Sequence, residues 1–218
     1  MAEPARDRLR RWGLEALLAA HPGLRPQPII NGELRLRGEV SFDAVSPGYN
    51  QIADGFEVEL SVPDGFPNIV PSVRDLTGRV PKSFHTHPDD GTLCLGAPTR
   101  QRLALVGNPT LLAFVTKCVI PYLYGFSHKE KYGSLPFGEL DHGNVGLRAD
   151  FAALFGVAPA AADEMVRLAS LKRRIANKAA CPCGSGKRLG RCHHKRVNRI
   201  RDELGRPWFR AEYSRFVS

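Results

Sequence analysis

No apolar run in the chain approaches the about 20 residues needed to cross a bilayer, which argues against a membrane-spanning helix. The opening residues, Met1-Ala2-Glu3-Pro4-Ala5-Arg6-Asp7-Arg8, carry charge with no apolar stretch behind it, so a secretory leader is not expected. Cysteine is scarce. Three of the five cluster beside a His pair, which fits metal binding in a reducing compartment better than a disulfide framework, and a cytoplasmic protein is expected. Internal repeats are absent, which excludes solenoid architectures. The sole low-complexity tract, Ala158-Pro159-Ala160-Ala161-Ala162, has the composition of a linker. The first 160 residues also lack any charge excess, with 16 Lys and Arg against 17 Asp and Glu. Residues 161–218 hold 15 against 5, so the formal charge of +9 originates entirely in the tail. A basic tail on a near-neutral body suits RNA, an acidic protein face or a membrane surface, the plain alternative being a solvated helical surface.

Local patterning gives an α+β reading. Leu9, Trp12, Ala16 and Leu17 recur at helical spacing and predict an opening helix over residues 5–20, stopping before His21-Pro22-Gly23. Glu33 to Phe42 and Phe56 to Val62 alternate polar and apolar residues and predict neighbouring antiparallel strands with one buried face. A third strand is expected around Ser72 to Leu76, followed by an irregular stretch from Thr77 to Arg102. Asn108-Pro109 then opens an apolar helix from Thr110 to about Leu123, with Asn108 as its cap and Cys118 in its buried face. Further helices are predicted over Ala149 to Phe155 and Asp163 to Lys178.

Near the C-terminus, Cys181-Pro182-Cys183-Gly184-Ser185-Gly186-Lys187-Arg188-Leu189-Gly190-Arg191-Cys192-His193 supplies three thiols and an imidazole, a donor set that closes a tetrahedral structural zinc site. Gly184 to Gly186 permit the turn that brings the first ligand pair back toward the second. So short a segment buries no core, so metal binding is expected to supply most of its folding free energy. The string resembles the SEC-C zinc motif over about 14 residues. The resemblance implies one structural Zn2+ held by Cys181, Cys183, Cys192 and His193, with His194 as a substitute, in a module that docks on protein or ribosome partners and does no catalysis.

The body carries a second ordered series. An aromatic-rich strand from Phe56 leads to Phe66-Pro67, then Pro71-Ser72-Val73, His87-Pro88-Asp89, Gly91-Thr92-Leu93-Cys94-Leu95 and the helix after Pro109. This order resembles ubiquitin-conjugating enzymes over roughly residues 5–125. The resemblance implies an antiparallel meander sheet flanked by helices, with Cys94 as a thiol that carries a ubiquitin-like protein received from its activating enzyme. Asp89 stands where that family has Asn, and an ionised carboxylate donates no hydrogen bond to an oxyanion. The His87-to-Cys94 spacing is also about three residues shorter than in the eukaryotic enzymes and looks like that of divergent bacterial relatives. His85, His87 and Arg100 are candidate sources of positive charge beside the thiol. His142, in a Gly-rich segment after the main helix, is a candidate proton carrier beside Asp141.

Two other readings stay open. His85-Thr86-His87-Pro88 resembles the zinc-binding motif of JAB-type isopeptidases, but Leu95 stands where their Ser is needed, and Thr99 is followed at the third residue by Arg102 rather than Asp. Alternatively, Cys94 is an inert thiol and the body a catalytically silent binding module. The expected organisation is a conjugating-enzyme-like domain over 1–157, a basic helical linker over 158–179, and a zinc module with a basic tail over 180–218.

Overall fold

Period-two alternation in two long segments produces the hairpin at the centre of the fold. Strands β2 (Leu34–Ala44) and β3 (Ile52–Val62) pair antiparallel from Leu34 opposite Val62 to Ala44 opposite Ile52. The alternation places Leu34, Leu36, Val40 and Phe42 with Phe56, Val58, Leu60 and Val62 on one buried face, each side chain contributing about 1.5 to 3 kcal/mol on leaving water. β1 (Arg25–Pro26) and β4 (Ser72–Asp75) flank the pair and complete a four-stranded antiparallel meander in the order β1-β2-β3-β4. The two-residue β1 was not expected from the sequence, and Pro26 is tolerated there because an edge strand can spare a donor. The computed structural model describes residues 5–136 and 143–217, and the chain divides into two compact units, Met1–Gly138 and Glu139–Ser218.

In the first unit the predicted opening helix is two helices, α1 (Ala5–Arg11) and α2 (Leu14–Ala20), broken at Gly13. Gly13 takes φ 70°, a left-handed conformation open to glycine, and a Cβ there would press on Thr110 at 3.4 Å. The break frees the Trp12 carbonyl to accept from the Leu111 N–H (2.9 Å), while the buried indole N–H donates to the Phe66 carbonyl (3.1 Å). A helix α3 (Pro98–Ala104) lies inside the stretch expected to be irregular.

The main helix starts later than expected. Thr110 is the cap of α4 (Leu111–Phe114), its hydroxyl accepting from the Ala113 N–H at 3.2 Å, whereas Asn108 accepts from the Thr110 hydroxyl. A wider π turn over Val115–Val119 joins α4 to α5 (Ile120–Tyr132). Pro121 cannot donate to the carbonyl four residues back, and the wider turn, in which the Ile120 N–H reaches the Val115 carbonyl, absorbs that loss. Cys118 is buried on this helix, as expected, and burial pushes its thiol up to about 11.

The second unit comprises α6 (Gly143–Phe155), a short 3₁₀ turn at Pro159–Ala161, α7 (Ala162–Ser170), α8 (Arg173–Ala176), α9 (His194–Leu204) and α10 (Arg206–Val217). Residues 158–179, read from sequence as a basic linker, contribute the buried Ala162, Met165, Val166, Leu168 and Ala169 to this unit. The helix expected over Asp163 to Lys178 stops at Ser170. Its last carbonyls are satisfied from elsewhere, Leu168 and Ala169 by the buried Arg201 guanidinium (both 3.0 Å) and Ser170 by Arg206 (3.1 Å). Among the described residues no single helix is long and apolar enough to cross a membrane.

Candidate metal centre and the Cys94 loop

Residues 179–189 form a narrow hairpin. The Cys181 N–H donates to the Lys187 carbonyl (2.8 Å), the Leu189 N–H to the Ala179 carbonyl (2.9 Å), and Ala180 pairs with Arg188. Gly184 and Gly186 make the reversal at φ 78° and 70°, which side chains with a Cβ rarely adopt. A 3₁₀ turn at Leu189–Arg191, anchored by the Gly190 N–H on the Asn177 carbonyl (3.0 Å), brings Cys192 and His193 back at the start of α9.

The three sulfurs and the His193 ring then converge, all four donor atoms lying within 4.8 Å of one another. His193 Nδ1 is 3.2 Å from both Cys181 Sγ and Cys192 Sγ, and Cys183 Sγ is 3.6 Å from Cys192 Sγ. Four donors about 2.0 to 2.3 Å from a tetrahedral zinc stand roughly 3.5 to 3.8 Å apart, so these separations fit one such ion after a small expansion. His194 is not in the group. The cluster can bind one metal ion, and with four protein donors it leaves no open position for a substrate.

The thiols are unequal before a metal binds. Burial pushes Cys181 up to about 11. The Ser185 hydroxyl, 3.3 Å from Cys183 Sγ, brings that thiol down to about 6. The cysteine hairpin is set in a unit with more than metal to hold it. The surrounding unit has its own apolar interior, including Phe151, Phe155, Met165, Val197 and Phe209, with Phe151 and Phe155 stacked at 6.1 Å.

In the first unit, the segment from His85 to Cys94 is a second small hairpin. Thr86 pairs with Leu93, the Cys94 N–H donates to the His85 carbonyl (2.6 Å), the His87 N–H donates to Thr92 (2.8 Å), and the Leu93 N–H ties the turn to β4 at Val73 (2.7 Å). Cys94 is half-buried and sits opposite His85, not His87. The His85 backbone is at φ 40°, uncommon for a side-chain-bearing residue, and its ring meets Phe84 edge-on at 5.1 Å. His87 and Asp89 are exposed in the turn. His142 and Asp141 lie outside the described residues.

Sequence reasoning missed three contributors. Asp90, rather than Asp89, organises the turn by accepting from the Thr92 N–H (2.9 Å) and hydroxyl (2.7 Å), which lower its pKa; the Asp90-Gly91-Thr92 string carried that signal. Tyr122, on α5, donates to the Phe84 carbonyl (2.9 Å) or the His85 carbonyl (3.2 Å), and burial raises its pKa, with the nearby Cys94 adding to the effect. Arg79 anchors the start of the loop. It pairs with Asp54 on β3 (2.7 Å) and Glu130 on α5 (2.6 Å) and lies 4.3 Å over the Phe56 ring. Nothing local in the sequence joins residues so far apart.

Two clefts of about 340 and 430 Å³ flank Arg79, and Cys94 lines neither. Among the described residues, the group of three or more His, Cys, Asp or Glu donors close enough to hold a metal is the C-terminal one, and His85 and His87 join no such group. The isopeptidase reading therefore gains no metal site from the geometry. Comparison of the chain with models of protein families, with curated proteins and with solved structures found no match.

Proposed function

We propose that the first unit is a ubiquitin-conjugating-enzyme-like carrier in which Cys94 accepts the C-terminal acyl group of a ubiquitin-like protein, and that the second unit is clasped by a structural zinc. The observation that carries the reading is the contrast between two thiols of one unit. Cys118 is buried and raised to about 11, whereas Cys94 is half-exposed on a hairpin pinned to His85 and β4. A carrier thiol needs that accessibility together with a fixed backbone.

In the proposed transfer the Cys94 thiolate attacks the carbonyl of a thioester on the activating enzyme, and the tetrahedral intermediate expels that enzyme's thiolate. A lysine amine of the target then attacks the new thioester. The Cys94–acyl bond breaks, Cys94 leaves as thiolate, and the amine proton passes to solvent or a nearby base. His85, paired with Cys94, is the residue assigned to support the thiolate; His87 and Asp89, in the exposed turn, are assigned to meet the acceptor. A second reading, a silent binding module, is favoured by one observation: the Tyr122 hydroxyl is turned to backbone carbonyls and Asp89 donates nothing when ionised, which leaves neither for an oxyanion.

A synthetic peptide thioester ending in Gly-Gly tests the two readings. Carrier function predicts a reductant-labile acyl adduct on Cys94, formed faster than on glutathione under the same conditions, and a reductant-resistant ester in Cys94→Ser. Acylation no faster than glutathione, or unchanged in Cys94→Ala, would select the binding module.

A further inference from the structure

The charge of the second unit is not only excessive but also unneutralised on one part of its surface. Four of the five carboxylates in residues 161–218 are committed to arginines: Asp163 to Arg148, Glu164 to Arg167, Asp202 to Arg173 and Glu212 to Arg215. Three further arginines are engaged by backbone carbonyls, Arg201 and Arg206 at the end of α7 and Arg196 at Leu154 and Ala153. These arginines build the unit. A different set, Arg174, Lys178, Lys187, Arg188, Lys195 and Arg199, is exposed and has no ion pair among the described residues.

The fold gathers that set around the metal cluster. Arg174 and Lys178 flank the end of α8, and the Asn177 carbonyl holds Gly190. Lys187 and Arg188 lie on the return strand of the cysteine hairpin, where Arg188 pairs with Ala180. Lys195 and Arg199 stand one turn apart on α9, on the side opposite its buried Val197, Ile200 and Leu204. The Arg173–Asp202 ion pair ties α8 to the far end of α9, so the three pieces form one surface.

We propose that this surface binds the phosphate backbone of a single-stranded nucleic acid, independently of any chemistry at Cys94. Lys195 and Arg199, four residues apart on α9, stand about 6 Å apart along the axis, comparable to the separation of neighbouring phosphates on an extended single strand. These six cations face one carboxylate not committed to an arginine, Glu203, one turn beyond Arg199 on α9, and the excess would exchange condensed counterions for direct contact, the source of affinity in sequence-independent binding. Half of the six are arginines, whose planar fork suits phosphate oxygens. The metal cluster's part is to hold the hairpin cations in register with those of α9.

The test uses the zinc-loaded full chain and a fluorescein-labelled mixed-sequence 20-nucleotide RNA, followed by anisotropy from low to physiological salt. Binding should weaken with salt at a log–log slope of about −4, as six contacts on a single strand require. The triple substitution Arg188→Gln, Lys195→Gln, Arg199→Gln should bring the slope to about −2 and weaken binding at least about tenfold at low salt. Zinc content and far-UV circular dichroism equal to wild type establish that the triple variant is folded. A matched variant in the first unit, Arg6→Gln, Arg10→Gln, Lys82→Gln, should bind as wild type does. Equal losses in the two variants, no binding at low salt, or equal competition by poly-glutamate would overturn the proposal, the last result assigning the surface to an acidic protein instead.

Discussion

Substituting Asp54 by Asn should loosen the first unit at the point where the sheet, the main helix and the Cys94-bearing loop are joined. Asp54 accepts from both terminal nitrogens of Arg79 (2.9 and 2.7 Å), from the Ser127 hydroxyl (2.6 Å) and from the Gly55 N–H (2.8 Å). The Arg79 guanidinium first, with Ser127 and Gly55, holds the Asp54 carboxyl down at about 2, against 3.8 for an ordinary aspartate. That depression corresponds to about 2 kcal/mol of favourable interaction. The side chain is 21 % exposed, so solvent screening reduces the expected loss to about 1 to 2 kcal/mol. Asn keeps the shape but presents one acceptor where two are used, and Glu130 retains its own contact with Arg79. The sign of the pH effect follows from the depressed pKa. The contribution is complete above about pH 4 and is lost as pH falls toward 2, so wild type should lose stability across that window and Asp54→Asn should lack this component. Urea unfolding followed by Trp12 fluorescence in a Trp208→Phe background reads the first unit alone. A variant as stable as wild type at pH 7, or with the same acid dependence below pH 4, would refute the Asp54–Arg79 account.

The second unit makes two further predictions. The purified chain should carry one zinc, lost in Cys192→Ala, and chelation should strip exchange protection from the Cys181 and Leu189 amides while α6, α7 and α10 stay folded; a chelated chain with those amides still protected would contradict the clasp. Because thiolates are the ligands, zinc loading should fall as pH is lowered and recover as it is raised. Arg201→Met should keep the stem's packing but leave the Ala169 carbonyl without its donor, the Leu168 carbonyl retaining the Leu171 N–H, at a cost of about 1 to 3 kcal/mol of unfolding free energy of the second unit, read by Trp208 in urea. An unchanged midpoint would mean that the end of α7 is satisfied by other means.

The sequence by itself determined what depends on short-range periodicity and spacing. Alternation fixed the faces of β2 and β3, because a one-residue slip would turn every apolar side chain to solvent. Cysteines two residues apart, followed by Cys-His nine residues on, determined the metal cluster, because the glycines between them allow the left-handed turn that brings the donors together. Tertiary structure decided everything that needed a distant partner. The opening helix breaks at Gly13 because the Trp12 carbonyl caps α4, and α7 ends at Ser170 because Arg201 and Arg206 arrive from more than 30 residues away. The same holds at the candidate thiol. His87 stands nearer to Cys94 in the sequence, yet antiparallel pairing across Thr86 and Leu93 sets His85 opposite it, and Tyr122 and Arg79 hold the loop from elements that nothing in the local sequence connects to it.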